Sequence, residues 1–396
     1  MRRRQFLTTA CVVGGGLLAG CIGDSDRIYW SYETERAVFS DPVVVDGTVY
    51  TGTQAGDIFA LDAEDGAEVW DEPYEIGTDD APGHLRSAVS VVDGSLYYGS
   101  MAFTRHVHAL DADTGEPTWE APYETAMIKQ APTVADGIVY ALDDEYEFHG
   151  IDTDTGEAEP PFPRSIPRIP AAPPVIDDET VVTAVDRTID TLDTQPGDHR
   201  WGDPLVLKSH IADGALIIEG GTIYVGTVEG TLLAIDLETG DPAWDEPFDT
   251  IDWPEAKAPF VGGLTAADGV VYAATERALF AIDADDGSFR WDDPYRPGGG
   301  TSFRGAPTVV DDQVLLGGSH GLYAIDLDSG DPVWDEPAET RGSATTDPIV
   351  IDGIAYLGTD GHRLYAIDTD LDGSSDDARV NLGITSHHDT WADQSG

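Results

Sequence analysis

Cysteine and lysine are scarce in this chain of 396 residues, and familiar catalytic motifs are missing. The two cysteines are Cys11 and Cys21, and the first lies in a segment that we expect to be removed. No disulfide can then form in the mature chain. The sequence contains no G-x-S-x-G, no H-E-x-x-H and no phosphate-binding loop. It therefore offers no recognisable signature of a hydrolase, a metalloprotease or a nucleotide-binding enzyme.

Positive charge is the next shortage. The chain has 21 Lys plus Arg against 75 Asp plus Glu, which gives a formal net charge of −54. Such a surface repels nucleic acid and anionic lipid, and it strains the fold by self-repulsion. Molar salt removes this strain because the screening length falls to about 3 Å. The acid excess resembles proteins of salt-loving archaea, and we expect a monomer with no nucleic-acid partner.

The N-terminal segment resembles a signal for export and lipid attachment. "MRRRQFL" resembles a twin-arginine signal, and the apolar run after it is too short to span a membrane. The following "LAGC" matches a lipobox, in which the signal is cut before the cysteine and the thiol receives a diacylglycerol. We predict a signal peptide over residues 1–20, a lipid on Cys21 that anchors the protein to the outer face of the cell membrane, and a linker over 22–28. A buried cysteine near an ordinary N-terminus is the alternative.

One motif recurs along the rest of the chain. "LDAEDGAEVWDEPYE" begins at Leu61, and close copies begin at Leu110, Ile235, Ile282 and Ile325. Its aspartate occurs eight times, 41 to 49 residues apart, at Asp62, Asp111, Asp152, Asp193, Asp236, Asp283, Asp326 and Asp368. This spacing fits a four-stranded propeller blade and is too long for leucine-rich repeats. We predict an all-β fold, an eight-bladed β-propeller of four-stranded antiparallel blades over 29–380, with a polar tail over 381–396.

Each repeat divides into four strands. In the first repeat "DPVVVDGTVYTGT" predicts two strands joined by Asp46-Gly47, a two-residue turn that needs positive φ. "DIFALD" predicts the third strand and "AEVWDEP" the fourth. We expect the repeat aspartate to accept hydrogen bonds from the next turn, and the glycine four residues later to adopt the left-handed conformation.

Tryptophan follows the repeat aspartate by eight residues in six repeats. These residues are Trp70, Trp119, Trp201, Trp244, Trp291 and Trp334. A ring at this place can lie across the junction with the next blade and bury about 150–250 Å². The third and eighth repeats lack this residue, but Trp30 stands in "RIYWSYE" before the first repeat. We predict that this N-terminal strand completes the last blade, with Trp30 as the eighth blade's docking residue.

The stretch "ALDADTGEPTW", which ends at Trp119, resembles the tryptophan-docking motif of the pyrroloquinoline quinone (PQQ) type propellers. The resemblance covers nearly the whole mature chain. That family includes quinoprotein dehydrogenases and the non-enzymatic lipoprotein of the outer-membrane protein assembly machine. It implies either a non-catalytic binding or scaffolding protein without a cofactor, or an oxidoreductase that uses PQQ and calcium. The disulfide found beside PQQ in the alcohol-oxidising members cannot form in this mature chain, which favours the first function.

One basic residue precedes the first strand of every predicted blade. The set is Arg36, Arg86, Lys129, Arg168, Lys208, Lys257, Arg304 and Arg341. In propellers of this family these connections open on one face around the axis, so the resemblance implies a ring that binds an anion or a partner at the channel mouth. Trp253 and Phe303 are expected to add a stacking surface. The alternative is that each cation pairs with a neighbouring carboxylate.

The last repeat contains a pattern typical of a calcium loop. "DTDLDGSSDD" places four carboxylates at ligand spacing, namely Asp368, Asp370, Asp372 and Asp376. Arg379 stands where such a loop has its bidentate glutamate. A lengthened acidic turn without a metal is therefore the alternative.

Three histidines lie on predicted third strands. His106 and His108 alternate on one face, and His149 aligns with His108. The equivalent positions in other repeats hold aromatic or aliphatic residues. We therefore expect packed histidines at these positions and not metal ligands.

Overall fold

The computed structural model describes most of the chain between residues 26 and 375. The described residues are 26–78, 81–84, 88–102, 105–128, 131–135, 137–145, 147–160, 162–165, 175–177, 180–193, 200–250, 253, 258–371 and 373–375. The predicted signal peptide, Cys21 and the polar tail lie outside them. Within the described part of the chain, no helix has the length and apolar character needed to cross a membrane.

Eight antiparallel sheets form the blades of a β-propeller, which confirms the predicted fold class. The N-terminal strand β1 (Ile28–Glu33) belongs to the last of them. Blade 1 consists of β2 (Val43–Val45), β3 (Thr48–Gly52), β4 (Asp57–Asp62) and β5 (Tyr74–Glu75). A small extra sheet follows, made of β6 (Gly77–Thr78), β7 (Ala81–His84) and β10 (Met101–Ala102). Blade 2 consists of β8 (Ser90–Val92), β9 (Ser95–Gly99), β11 (His106–Asp111) and β12 (Tyr123–Glu124).

The remaining blades follow in chain order. Blade 3 contains β13 (Thr133–Ala135), β14 (Ile138–Leu142), β15 (Glu147–Asp152) and β16 (Arg164–Ser165). Blade 4 contains β17 (Val175–Asp177), β18 (Thr180–Val185), β19 (Thr188–Asp193) and β20 (Leu205–Val206). Blade 5 contains β21 (Ile211–Glu219), β22 (Thr222–Thr227), β23 (Thr231–Asp236) and β24 (Phe248–Asp249). Blade 6 contains β25 (Phe260–Ala267), β26 (Val270–Thr275) and β27 (Leu279–Asp283).

The last two blades complete the ring. Blade 7 contains β28 (Thr308–Val310), β29 (Gln313–Gly318), β30 (Gly321–Asp326) and β31 (Ala338–Glu339). Blade 8 contains β32 (Ile349–Ile351), β33 (Ile354–Thr359), β34 (Arg363–Asp368) and β1. Strand β1 pairs antiparallel with β34, so that Ile28 faces Ile367 and Glu33 faces Arg363. The innermost strands of neighbouring blades contact each other, including β2 with both β8 and β32.

The turns within a blade have the chemistry that the sequence indicates. Asp46 and Gly47 have φ of 49° and 78°, so both take the left-handed conformation that tightens a two-residue hairpin. At the end of the third strand, Asp62 Oδ1 accepts hydrogen bonds from the backbone N–H groups of Glu64 and Asp65, at 2.8 and 3.3 Å. Glycine follows at position 66 with φ of 73°. These local interactions reverse the chain at low cost and leave the apolar strands free to pack.

The predicted fourth strand "AEVWDEP" is wrong in detail. In blade 1 only Glu68 forms a bridge, to Leu61, and the chain then bends at Trp70 before pairing resumes at β5. Pro73 explains part of this break because proline has no N–H to donate to a neighbouring strand. The bend places the Trp70 ring between blades, where it is 4% exposed.

Each described tryptophan of this kind, except Trp334, contacts the next blade in the same way. The indole N–H donates to a backbone carbonyl of that blade at 2.8–3.0 Å, in the pairs Trp30 with Ala63, Trp70 with Ala112, Trp119 with Thr153, Trp201 with Leu237, Trp244 with Ala284 and Trp291 with Leu327. The ring also lies on the turn glycine of that blade. A Cβ built on Gly115 would stand 2.7 Å from the Trp70 ring. Only glycine leaves room for this contact.

Trp334 has a different partner. The Arg27 guanidinium lies 4.4 Å from the centre of its ring, and Arg27 also forms a 2.5 Å ion pair with Asp370. The residue just before β1 therefore links blade 7 to blade 8.

Arg27→Ala is expected to lower the free energy of unfolding by roughly 1–2 kcal/mol, because a cation–π contact contributes about 0.5–1 and an exposed ion pair about 0.2–1. Arg290→Ala is the control, since Arg290 pairs with Asp283 at 2.8 Å without covering a described aromatic ring. Denaturant titration in molar salt measures both variants. Equal losses would mean that the stacking on Trp334 contributes nothing.

Candidate functional site

Antiparallel pairing divides the connections of the propeller between two ends. The turns from first to second strand and from third to fourth strand lie at one end, which we call the turn face. The turns from second to third strand and the connections into the next blade lie at the other end, the loop face. On this face bridges join the two kinds of segment, for example Val38 with Thr53 and Ala344 with Thr359.

Four residues of the predicted cation ring are described, and all four lie exposed on connections of the loop face. They are Arg36, Lys208, Arg304 and Arg341. None of these four side chains forms an ion pair with another described residue. By contrast, Arg363 pairs with Glu33 at 2.8 Å and Arg290 with Asp283 at 2.8 Å. The other four members, Arg86, Lys129, Arg168 and Lys257, lie outside the described residues.

The turn face has the opposite character. Its third-to-fourth-strand turns include residues 63–67, 112–116, 153–157, 237–241, 284–288 and 327–331. Every one of these segments contains carboxylates, and none contains Lys, Arg or His. For three strand-end aspartates beside them, Asp152, Asp236 and Asp326, hydrogen bonds from the turn lower the pKa of the carboxyl group. Hydrogen bonds from the backbone and side chain of Ser329, for example, lower the pKa of Asp326. The turn face is therefore an anionic surface.

The expected aromatic stacking surface is wrong for Phe303 and largely wrong for Trp253. Phe303 is fully buried. Trp253 is partly buried, and its ring packs on Phe248 and Phe289 with centroids 5.5 and 4.7 Å away. Both residues pack against the hydrophobic core, which sequence spacing does not indicate.

Blade 3 contains a buried polar pair on its loop-face side. Asp143 follows β14, and His149 lies on β15, with the two side chains only 2% and 3% exposed. His149 Nε2 lies 2.9 Å from Asp143 Oδ2. Because an ionised carboxylate can only accept, Nε2 carries the proton. The backbone N–H groups of Ala126, Glu145 and Glu147 also donate to Asp143, at 3.1, 3.0 and 2.9 Å.

These contacts determine the charge of Asp143. Burial by itself raises the pKa of this carboxyl, but hydrogen bonds from the Glu147 N–H, from His149 and from the Ala126 N–H outweigh it and lower the pKa below its ordinary value. The group thus stays ionised at neutral pH. It ties the connection at Ala126 to the second and third strands of blade 3.

Asp143, Glu147 and His149 also bring three possible metal-binding atoms within 4.8 Å of one another. Aligning the repeats does not reveal this group, because the alignment relates His149 to His108 and leaves out the preceding acidic turn. The sequence pattern that could have revealed this group is D-x3-E-x-H across a short hairpin, in "DDEYEFH". Four hydrogen bonds already surround the Asp143 carboxylate, so the geometry supports a structural connection more directly than a metal centre.

Of the two histidines of blade 2, His108 is packed as expected, and His106 is half-buried. His108 is 7% exposed and stacks on Tyr98, with ring centroids 4.6 Å apart. Burial, with a smaller effect from His106, lowers the pKa of His108 to about 3. The ring is therefore neutral at neutral pH.

Two carboxylates of the predicted calcium loop are described. Asp368 Oδ1 accepts a hydrogen bond from the Asp370 N–H at 2.9 Å, and Asp370 pairs with Arg27. Both contacts are typical of the acidic turn that was the alternative. Asp372 and Asp376 lie outside the described residues, so the set of four stays a prediction.

The comparison with known proteins decides the family. The family model for PQQ-type repeats, described as outer membrane protein assembly factor BamB, matches residues 8–102, 83–159 and 163–375. The chain belongs to this family. Among curated protein sequences, none matches the chain.

Solved structures with the same fold have widely different names. BamB from Moraxella catarrhalis superposes with a TM-score of 0.63 and 19% identity, covering 85% of this chain and 95% of that one. A quinohemoprotein alcohol dehydrogenase from Pseudomonas putida superposes with a TM-score of 0.59 and 17% identity, covering 86% of this chain and 76% of that one. Sqt1 from Saccharomyces cerevisiae superposes with a TM-score of 0.67 and 14% identity, covering 87% of this chain and 99% of that one. Identities this low indicate a shared fold, so function has to be argued from this chain's own residues.

Proposed function

We propose that this member of the family is an exported lipoprotein, anchored through Cys21 to the outer face of the cell membrane, that acts as a non-catalytic binding or scaffolding protein. Its loop face binds a protein partner or a small anionic ligand. The export and anchoring follow from the N-terminal arginines and the lipobox. The match to a family model described as an outer-membrane assembly factor supports a role outside the cytoplasm.

The exposed cations of the loop face that form no ion pair with a described residue carry this proposal. In a chain with a net charge of −54, a cation that merely relieves repulsion would stand against a carboxylate. Arg36, Arg304 and Arg341 are exposed and form no ion pair with a described residue. Side chains in this state are available to an anionic group that arrives from outside.

The alternative, an oxidoreductase with PQQ and calcium, is suggested by the named dehydrogenase neighbour. Such a centre needs several free oxygen ligands at the channel mouth. The described carboxylates at that end of the innermost strands are Asp41 and Asp347. Asp41 Oδ1 accepts the Asp347 N–H at 2.7 Å, and Asp347 Oδ1 accepts the Ala306 N–H at 2.6 Å. In the part of the chain that the structure describes, these backbone contacts of Asp41 and Asp347 favour a structural role and support the non-catalytic function over the dehydrogenase.

A fluorescent poly-glutamate peptide tests the loop face. We expect Arg304→Gln with Arg341→Gln to weaken its binding roughly 2- to 30-fold, because each exposed charge contact contributes about 0.2–1 kcal/mol. The control, Arg200→Gln with Arg290→Gln, removes the same charge from the outer part of the blades. Fluorescence anisotropy at constant salt measures all three proteins. Equal weakening by both pairs would mean that only net charge matters.

A second measurement on the same protein separates the two functions. We expect no dye reduction when PQQ, calcium and a panel of alcohols or aldose sugars are added in molar salt. Substrate-dependent dye reduction would overturn the proposal in favour of a dehydrogenase.

A further inference from the structure

The strand register shows at which face the N-terminal segment joins the propeller. Ile28, at the start of β1, faces Ile367 at the end of β34, and the Asp368 N–H donates to the Arg27 carbonyl at 2.8 Å. The third strand of blade 8 ends at the turn face, so β1 begins at the turn face. It ends at the loop face, where Glu33 faces Arg363.

Arg27 fixes this starting point. Its guanidinium is held by the Trp334 ring and by Asp370, which lies in the last turn of the turn face. The direction of the chain at residue 27 is therefore set by contacts on both blade 7 and blade 8. A lipid attached upstream of Arg27 is therefore connected to the propeller at the turn face.

We infer that the turn face is the membrane-facing surface of the anchored protein, and that the loop face with its exposed cations points away from the lipid. This inference rests on the proposed lipidation of Cys21. Four residues separate Cys21 from Asp26, and a fully extended chain of this length spans at most about 18 Å. The six residues of β1 alone rise about 20 Å. The lipid therefore cannot reach the loop face.

The charges of the two faces do not prevent this orientation in molar salt. The six third-to-fourth-strand turns named above carry carboxylates and no Lys, Arg or His, so they gain nothing from anionic headgroups. Only the lipid holds them near the membrane. In molar salt the repulsion extends only about 3 Å, so the short tether determines the orientation. The loop face, with its four exposed cations, is then the surface presented to an acidic polypeptide outside the cell. This partner chemistry is the one that complements Arg36, Lys208, Arg304 and Arg341.

Distance-dependent quenching on lipid vesicles tests the orientation. The mature chain, beginning at Cys21, is coupled through that thiol to a maleimide lipid in vesicles that contain nitroxide-headgroup lipids, in molar salt. A fluorescent non-natural residue replaces either Glu238 on the turn face or Glu229 on the loop face. Both positions are exposed and belong to blade 5, which makes them a matched pair.

We expect quenching to be several-fold stronger at position 238 than at position 229. Equal quenching, or stronger quenching at 229, overturns the inference. Because the lipid is attached chemically, this result does not depend on lipidation in the cell. The mass of the protein purified from its native membrane tests the anchor separately, and a mature chain without a diacylglycerol on Cys21 would overturn the proposed function.

Discussion

Gly115→Ala is expected to destabilise the protein much more than Gly94→Ala, although both glycines have nearly the same backbone conformation. Their φ values are 74° and 75°, so alanine incurs the same left-handed penalty, about 1–2 kcal/mol, at each position. A Cβ at Gly94 would meet nothing within 4 Å, whereas at Gly115 it would stand 2.7 Å from the Trp70 ring. Overpacking of this kind costs a further 1–3 kcal/mol or so.

A double-mutant cycle with Trp70 identifies the cause. Trp70→Ala alone should cost about 3–5 kcal/mol, because it empties a buried site between blades 1 and 2. In that background Gly115→Ala should cost only what Gly94→Ala costs, since the ring is gone. Denaturant unfolding at constant molar salt gives the four free energies. Equal effects of the two glycine substitutions in the wild-type background would show that the ring does not rest on Gly115.

The docking contact explains why the fold could be predicted from the sequence. Aspartate, glycine and tryptophan each have a local geometric role, because the carboxylate caps a turn, the glycine permits positive φ and a close approach, and the ring covers the glycine of the next blade. Roles of this kind require one residue type at one spacing. The repeat, the number of blades and the contribution of Trp30 to the last blade follow from them.

Other features of the structure depend on contacts that the spacing of residues in the sequence does not predict. The bend at Trp70 results from the competition between strand pairing and burial of a large ring, and the pattern "AEVWDEP" alone suggests a continuous strand. Phe303 lies in a glycine-rich connection, yet it is fully buried because that connection folds onto blade 7. Whether Arg304 pairs with a carboxylate depends on side-chain positions among many acidic neighbours. Composition predicts that the surface is negative, but only the structure shows which charged residues lie on the turn face and which on the loop face.

The Asp143–His149 pair shows how one repeat departs from the others. At the position of Asp143 most blades have a small hydroxyl residue, such as Thr53 in blade 1 or Thr275 in blade 6. At the position of His149, blade 6 has Phe280, which is fully buried. In blade 6 of the same molecule, a threonine and a phenylalanine therefore occupy the positions that Asp143 and His149 hold in blade 3.

Asp143→Ala is expected to cost about 3–5 kcal/mol, because the buried His149, the buried Ala126 N–H and two partly buried N–H groups all lose their acceptor. His149→Phe should cost less, about 1–3 kcal/mol, since the backbone donors still hold the carboxylate. The double variant Asp143→Thr with His149→Phe copies blade 6 and should recover much of the loss. Thermal and denaturant unfolding in molar salt compare the three variants.

The pH dependence of stability distinguishes a charged pair from simple packing. The pKa of Asp143 is lower in the folded protein than its ordinary value, so the unfolded chain takes up this proton first as the pH falls. The stabilisation from the ionised carboxyl is fully present above the ordinary aspartate pKa and is lost as the pH falls through the lower folded value. The double variant lacks this carboxyl and should lose less stability in that range than the wild type. Identical acid unfolding curves would mean that Asp143 is not held in its charged form by the contacts of blade 3.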